Sequence, residues 1–321
     1  MSQDSIKRDF NIIIDTDPGT DDALALGVAS VFFKDNIRAV ISTYGNTGGE
    51  QTYRNLLNIA GLLHINGSFI KGSLAPFNKD SFTPTDYHGK NGLCGLILPA
   101  SAISPYNGDF VQNLYDILKE YKSVKYIAIG PLTNLARLFD RFPDSAYYID
   151  ELIIMGGGFE VSNMPRNTEY NFSADPAAVA KVLASSVKKI IAPLDMTHRL
   201  AFSLTDIEDI IGVKREMLSD DMSEPFTVLA TLFYLNYDTS TAHNNSGAII
   251  HDAATLAYLF DKSKCVLQVY KTVSDEYGAI SKNPHGQDVF VIDKIDKNYI
   301  KDLLKETFHV IKKGVINHEY K

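Results

Sequence analysis

Short β-branched runs alternate with helix-length segments along the first two-thirds of this chain, and that alternation leaves few folds open. Phe10-Asn11-Ile12-Ile13-Ile14 ends at Asp15, and Pro18-Gly19 then turns the chain into the helical Asp22-Ala-Leu-Ala-Leu segment. The same order returns as Ile37 to Thr43 before Glu50 to Leu63, as Lys125 to Ile129 before Leu132 to Phe139, and as Glu151 to Met155 ahead of Pro176 to Ser185 and Val187 to Ala192. Strands that are apolar on both faces and separated by helices predict an α/β fold: an open, mostly parallel sheet covered by helices on both faces. Leu204 to Phe260 reads as helical, Cys265 to Asp293 as strands, and Asn298 to Lys312 as a last amphipathic helix. With no repeat, linker or low-complexity tract, residues 1–321 are expected to form a single domain. Ser73 to Asn91, Phe159 to Asp175 and Thr239 to Ser246 lack periodicity and read as long loops of the kind that carry function.

Charge narrows the partners. The 31 Lys and Arg against 39 Asp and Glu give −8, and the basic residues cluster no further than the pairs Lys188-Lys189 and Lys312-Lys313, so no nucleic-acid polymer is expected to bind. The longest apolar run, Ala23 to Phe33, has eleven residues and falls short of the roughly 20 that span a bilayer. Two cysteines, Cys94 and Cys265, suit reduced thiols, and the start of the chain lacks a basic segment leading into an apolar run. The expectation is a cytoplasmic protein without a membrane partner.

In open parallel sheets ligands bind beyond the carboxyl ends of the strands. Asp15, Asp17, Asp21 and Asp22 place four carboxylates within eight residues at such an end. An isolated Asp pair at a helix start ordinarily caps it or is solvated, but four like charges around a Pro-Gly turn repel strongly, and a hard divalent cation compensates all of them at once. An EF-hand loop counted from Asp15 is excluded, because its twelfth position is Leu26. A Mg²⁺-dependent phosphatase of the haloacid-dehalogenase type, with Asp15 as nucleophile, is the rival. It lacks the expected Gly-Thr directly after the second Asp, where Pro18 stands, and its later Gly-Asp-x-x-x-Asp, since Gly108-Asp109 leads to Asn113. No P-loop, dinucleotide fingerprint or nucleophile elbow occurs.

Asp15-Thr-Asp-Pro-Gly-Thr-Asp-Asp-Ala-Leu-Ala-Leu resembles the N-terminal signature of the calcium-dependent nucleoside hydrolases, the inosine-uridine-preferring family. Further blocks look similar and come in family order: Tyr44-Gly45-Asn46, Gly130-Pro131-Leu132-Thr133-Asn134-Leu135-Ala136, Met155-Gly156-Gly157-Gly158, Glu169-Tyr170-Asn171-Phe172 with Asp175-Pro176, and His251-Asp252. The resemblance implies hydrolysis of a ribonucleoside to ribose and free base. It implies Ca²⁺ held by Asp17, both oxygens of Asp22, the backbone carbonyl of Thr133, and Asp252, with Asp17 as the base that takes a proton from water. It further implies a ribose-binding set of Asp21, Asn46, Asn163, Glu169 and Asn171, with Met155 against the sugar, and His251 assisting the leaving base. His88 is a candidate for contact with base or ribose, and Tyr234 and Tyr237 for stacking or a lid. Thr133 and Asp252 can also be read as helix caps. A homodimer or homotetramer is implied as well. Two departures stand out: Ala253 replaces a common Pro, and Thr272 to Ser281 matches the family poorly. A module that binds nucleosides without turning them over is the remaining alternative.

Overall fold

The computed structural model describes residues 10–78, 87–106 and 108–314. The start of the chain and part of the loop expected at Ser73 to Asn91 lie outside the described residues.

Nine strands form one sheet. In chain order they are β1 (Asn11–Thr16), β2 (Ile37–Ser42), β3 (Ser68–Lys71), β4 (Val124–Ala128), β5 (Ile149–Met155) and β6 (Lys189–Ala192), then, after a separate antiparallel pair β7 (Ala201–Phe202) and β8 (Ala248–Ile249), β9 (Cys265–Ser274), β10 (Ile280–Lys282) and β11 (Gln287–Ile295). The spatial order is β10-β9-β11-β6-β5-β4-β1-β2-β3, parallel from β11 through to β3 and closed on one side by the antiparallel β9–β10–β11 edge. The helices are α1 (Thr20–Phe32), α2 (Gly49–Leu62), α3 (Phe110–Tyr121), α4 (Thr133–Arg141), α5 (Tyr170–Ala174), α6 (Pro176–Ala184), α7 (Leu194–Thr197), α8 (Leu204–Ile211), α9 (Pro225–Ala242), α10 (Ala253–Phe260) and α11 (Lys297–Lys312).

The expected fold class is therefore found, and the unbroken Ile12-Ile13-Ile14 run shows why the strands lack alternation. Ile12 and Ile14 join the core under α1, α9 and α10, whereas Ile13 joins the separate core under α3, α4 and α6. All three are buried, each contributing about 1.5–3 kcal/mol by transfer from water.

Two elements escape the alternation read from sequence. β3 is a short, half-exposed edge strand with a mixed Ser-Phe-Ile-Lys sequence. α3 buries Val111, Leu114, Ile117 and Leu118 behind the cap Asp109, whose carboxylate accepts the N–H groups of Val111 and Gln112. The region Leu204 to Phe260 is helical as expected but is broken between α8 and α9 and again at β8. Thr239 to Ala242 belongs to α9, and the loop begins only after it. Among the described residues no helix is long and apolar enough to cross a membrane.

The chain runs outward from β1 to β3 and then returns to place β4 on the other side of β1. That reversal makes a topological switch point of the carboxyl ends of β1 and β4, the place where such sheets leave a crevice for ligands.

Candidate active site

Asp17, Asp21 and Asp22 enter this crevice from the β1–α1 turn, and Asp252 enters from the turn before α10. Carboxylate oxygens of Asp21, Asp22 and Asp252 lie within 4.8 Å of one another, all three residues buried. At that separation the three carboxylates repel one another unless a proton or a cation stands between them. Burial and mutual repulsion raise the whole set. Asp17 and Asp252 lie well above the usual carboxylate range, first through burial and then through neighbouring aspartates, and burial lifts Asp21 and Asp22 to about 6.

Asp17 differs from the other three. Its Oδ2 accepts the N–H of Asn46 at 2.8 Å, but its Oδ1 is buried with no hydrogen-bond partner among the described residues. Backbone closes on it from two sides. A Cβ added at Gly45 would sit 2.0 Å from Oδ2, and one at Gly130 would sit 2.5 Å from Oδ1. Gly130→Ala is thus expected to displace the Asp17 carboxylate and cut kcat on the order of 10²-fold with a modest fall in melting temperature. Wild-type turnover by this variant would show that the position of Asp17 is not critical.

Asp22 holds the turn together. Its Oδ1 accepts from the Thr16 hydroxyl and, at 3.2 Å, from the N–H of Asp17, while Oδ2 accepts from the N–H of Gly19 and the side-chain amide of Asn46, each at 2.9 Å. Four donors occupy the lone pairs that a carboxylate offers, so the two-oxygen grip on a cation implied by the family competes with the turn's own hydrogen bonds. Asn46 likewise spends its amide on Asp22 and on the carbonyl of Asp17, leaving its Oδ1 for the crevice.

The two capping alternatives resolve differently. Asp252 stands at the N-cap of α10 without a side-chain cap bond, so its carboxylate is committed to the acidic cluster. Thr133 is the first residue of α4, not its cap, and its hydroxyl lies 2.9 Å from Tyr44 Oη and donates to Asp175 at 2.6 Å. Asp175, quoted above only as part of a motif, also caps α6 and so fastens the start of α4 to the next helix.

Glu169 caps α5, its carboxylate accepting N–H groups of Gly157, Asn171 and Phe172 at 2.9, 2.9 and 3.1 Å, yet burial still raises it to about 7. The Asn171 amide donates to the carbonyls of Ile129 and Met155, ending beside the buried Met155 and leaving its oxygen free. Asn163 is exposed, its Oδ1 accepting the N–H of Tyr170.

The fold brings His88 beside the first acidic turn. Nδ1 is 3.2 Å from Thr20 Oγ1, which also accepts from Asn236, and Nε2 is 3.9 Å from Asp21. His251 lies near His198, and Thr197 holds its Nδ1 at 2.8 Å. Burial lowers His88 to about 4 and His251 to about 3, so both are neutral. Tyr234 is packing: buried, it donates to the carbonyl of Val213, and Tyr237 packs against the core. Tyr87, which sequence reasoning passed over, packs against His243 with ring centroids 4.7 Å apart and the planes tilted by 41°, and ties the His88 loop to the end of α9. Asp15, the nucleophile of the rival phosphatase, is buried, and its two oxygens are bonded to Tyr126 and Asn134, each at 2.8 Å.

An open parallel sheet thus places a buried carboxylate cluster and two buried histidines at its switch point, an all-oxygen acidic site of the kind that holds a metal ion. Residues 12–302 match the inosine-uridine preferring nucleoside hydrolases, and the chain belongs to that family, enzymes that hydrolyse N-glycosidic bonds. It is 31% identical over 286 residues to the pyrimidine-specific ribonucleoside hydrolase RihA of Klebsiella pneumoniae, and 30% identical to that of Salmonella typhimurium, covering 88% of each chain. The purine-preferring ribonucleoside hydrolase from Gardnerella vaginalis shares the fold, with a TM-score of 0.82, 23% identity and coverage of 94% of this chain and 99% of that one. The plant nucleoside hydrolase PpNRh1 does likewise, with a TM-score of 0.81, 24% identity and the same coverage.

Proposed function

We propose that the whole chain acts as one calcium-dependent ribonucleoside hydrolase domain, splitting a purine or pyrimidine ribonucleoside into ribose and free base. The observation that supports this best is the unpartnered, buried Oδ1 of Asp17 beside three mutually repelling carboxylates. An orphaned anionic oxygen in an all-oxygen donor set fits a hard cation. Asp17, Asp22, Asp252 and the carbonyl of Thr133 would hold Ca²⁺, with Asp21 close enough to share it. When bound, the ion supplies charge neutralisation and Lewis acidity that makes water easier to deprotonate.

Asp17 then takes the water proton, and its confinement between Gly45 and Gly130 fixes where its carboxylate sits. Asp21, Asn46, Asn163, Glu169 and Asn171 bind ribose hydroxyls, with Met155 closing one side of the pocket. Glu169, whose two oxygens are pinned by three backbone N–H groups, keeps a lone pair on Oε1, and Asn171, its amide pinned by two carbonyls, keeps its Oδ1; both are held in fixed positions, which favours the flattened ring of an oxocarbenium-like transition state. His251 and His88, both neutral, offer hydrogen bonds to the departing base. A homodimer or homotetramer belongs to the same reading, and sedimentation of the purified protein tests it.

The relatives named pyrimidine-specific make uridine and cytidine the first substrates to assay, followed by inosine, adenosine and guanosine. The calcium-loaded protein is expected to release reducing sugar and free base from at least one of the five, and to reject their 5′-phosphates because of the acidic pocket. Tight nucleoside binding without sugar release would leave only a binding module.

A further inference from the structure

The short helix α7 follows β6 and lies outside every block that carries the family resemblance, yet it supports the site from behind. Asp195 accepts the N–H groups of Phe159 and Glu160, both at 2.7 Å, which locks α7 to the loop after β5. Two residues on, the hydroxyl of fully buried Thr197 lies 2.8 Å from Nδ1 of His251, a contact across 54 residues of chain. Among the described residues that hydroxyl has no other hydrogen-bond partner.

A neutral imidazole carries its single N–H on one nitrogen, and the bond made by the other decides which. Were Nδ1 to donate to Thr197, the threonine proton would be buried without an acceptor, an arrangement that folded proteins avoid. With the hydroxyl as donor, both groups are satisfied and the N–H is carried on Nε2. We propose that Thr197 is a positioning residue that fixes His251 as the Nε2–H tautomer, so that the imidazole always meets the departing base with a hydrogen-bond donor. The inference rests on the reading of His251 given above. No proton changes owner at Thr197; its contribution is to exclude the tautomer that would face the base with a lone pair.

The test is a long-range ¹H–¹⁵N correlation spectrum of the full chain with labelled histidine, the His251 signals being assigned by their loss in His251→Gln. In the wild type Nε2 is expected at the protonated and Nδ1 at the unprotonated position. Thr197→Val is expected to lose that preference and to lower kcat on the order of tenfold or more, with KM changed by less than about threefold. Thr197→Ser is expected to keep both the tautomer and the turnover. A wild-type spectrum with the proton on Nδ1 overturns the proposal, as does a valine variant with unchanged tautomer and kcat. The wild-type spectrum decides the tautomer even where the valine variant does not fold. Absence of nucleoside turnover in the wild type would remove the role of His251 while leaving the tautomer result standing.

Discussion

Asp17→Asn is expected to lower kcat by roughly 10²-fold or more, the loss that follows removal of a general base, while raising the melting temperature of the metal-free protein. The two effects have one cause. Asp17 is buried, repelled by Asp22 and Asp21, and bears an oxygen without a donor, so as an anion it costs stability that only a cation returns. Asparagine keeps the shape and the acceptor facing Asn46 but carries no charge. Calcium should therefore stabilise the wild type and do little for the variant. Calorimetry with and without the ion, beside a reducing-sugar assay, reads both, and normal turnover by Asp17→Asn would refute the mechanism.

Stripping the ion with a chelator is expected to abolish turnover, and calcium is expected to restore it. The metal-free protein should also respond to pH in a direction opposite to that of ordinary folds, whose paired carboxylates lose stability on acidification. Asp15 and Glu169 are raised to about 7, and Asp17 and Asp252 lie well above their usual range, all chiefly through burial. A carboxyl whose folded pKa exceeds its unfolded one favours the fold while protonated and loses that advantage as pH rises through the folded value. His88 and His251, with lowered values, act in the opposite sense, but only below about 6.5, where an unfolded histidine begins to charge. Above about pH 6.5 the acids alone count, so metal-free stability should fall as pH rises from about 6.5 through 7, where Asp15 and Glu169 complete their ionisation, and further wherever Asp17 and Asp252 ionise. With calcium bound the part of the fall due to Asp17 and Asp252 should disappear. Melting curves across that range decide the matter, and a flat metal-free profile would mean that the acids are compensated within the protein.

Much of the fold is legible in the sequence, for a physical reason. The Ile12-Ile13-Ile14 run, the Pro18-Gly19 turn and the acidic helix start are local patterns, and a strand feeding a helix through a short turn is specified by its own residues. The candidate set Asp17, Asp22, Asp252 and His251 came with such patterns. What stayed hidden was pairing across distance. Nothing near Thr133 announces that its hydroxyl belongs to Asp175, and nothing near His251 announces Thr197. Tyr234 illustrates the reverse: a helical tyrosine near the candidate loops suggests stacking, but α9 turns it into the core towards Val213. α3 is a plainer omission, since its apolar positions and its Asp109 cap are visible in the residues themselves.

The glycines at Gly45 and Gly130 carry a consequence for how such a site can diversify. Where the wall around the base-forming carboxylate is bare backbone, there is no side chain to exchange, and any addition collides with Asp17 itself. The reaction end of the pocket is therefore closed to gradual change. On the proposed function, substrate choice is expected to be written instead on Tyr87, His88 and the close of α9, where side chains meet side chains and can be replaced one at a time.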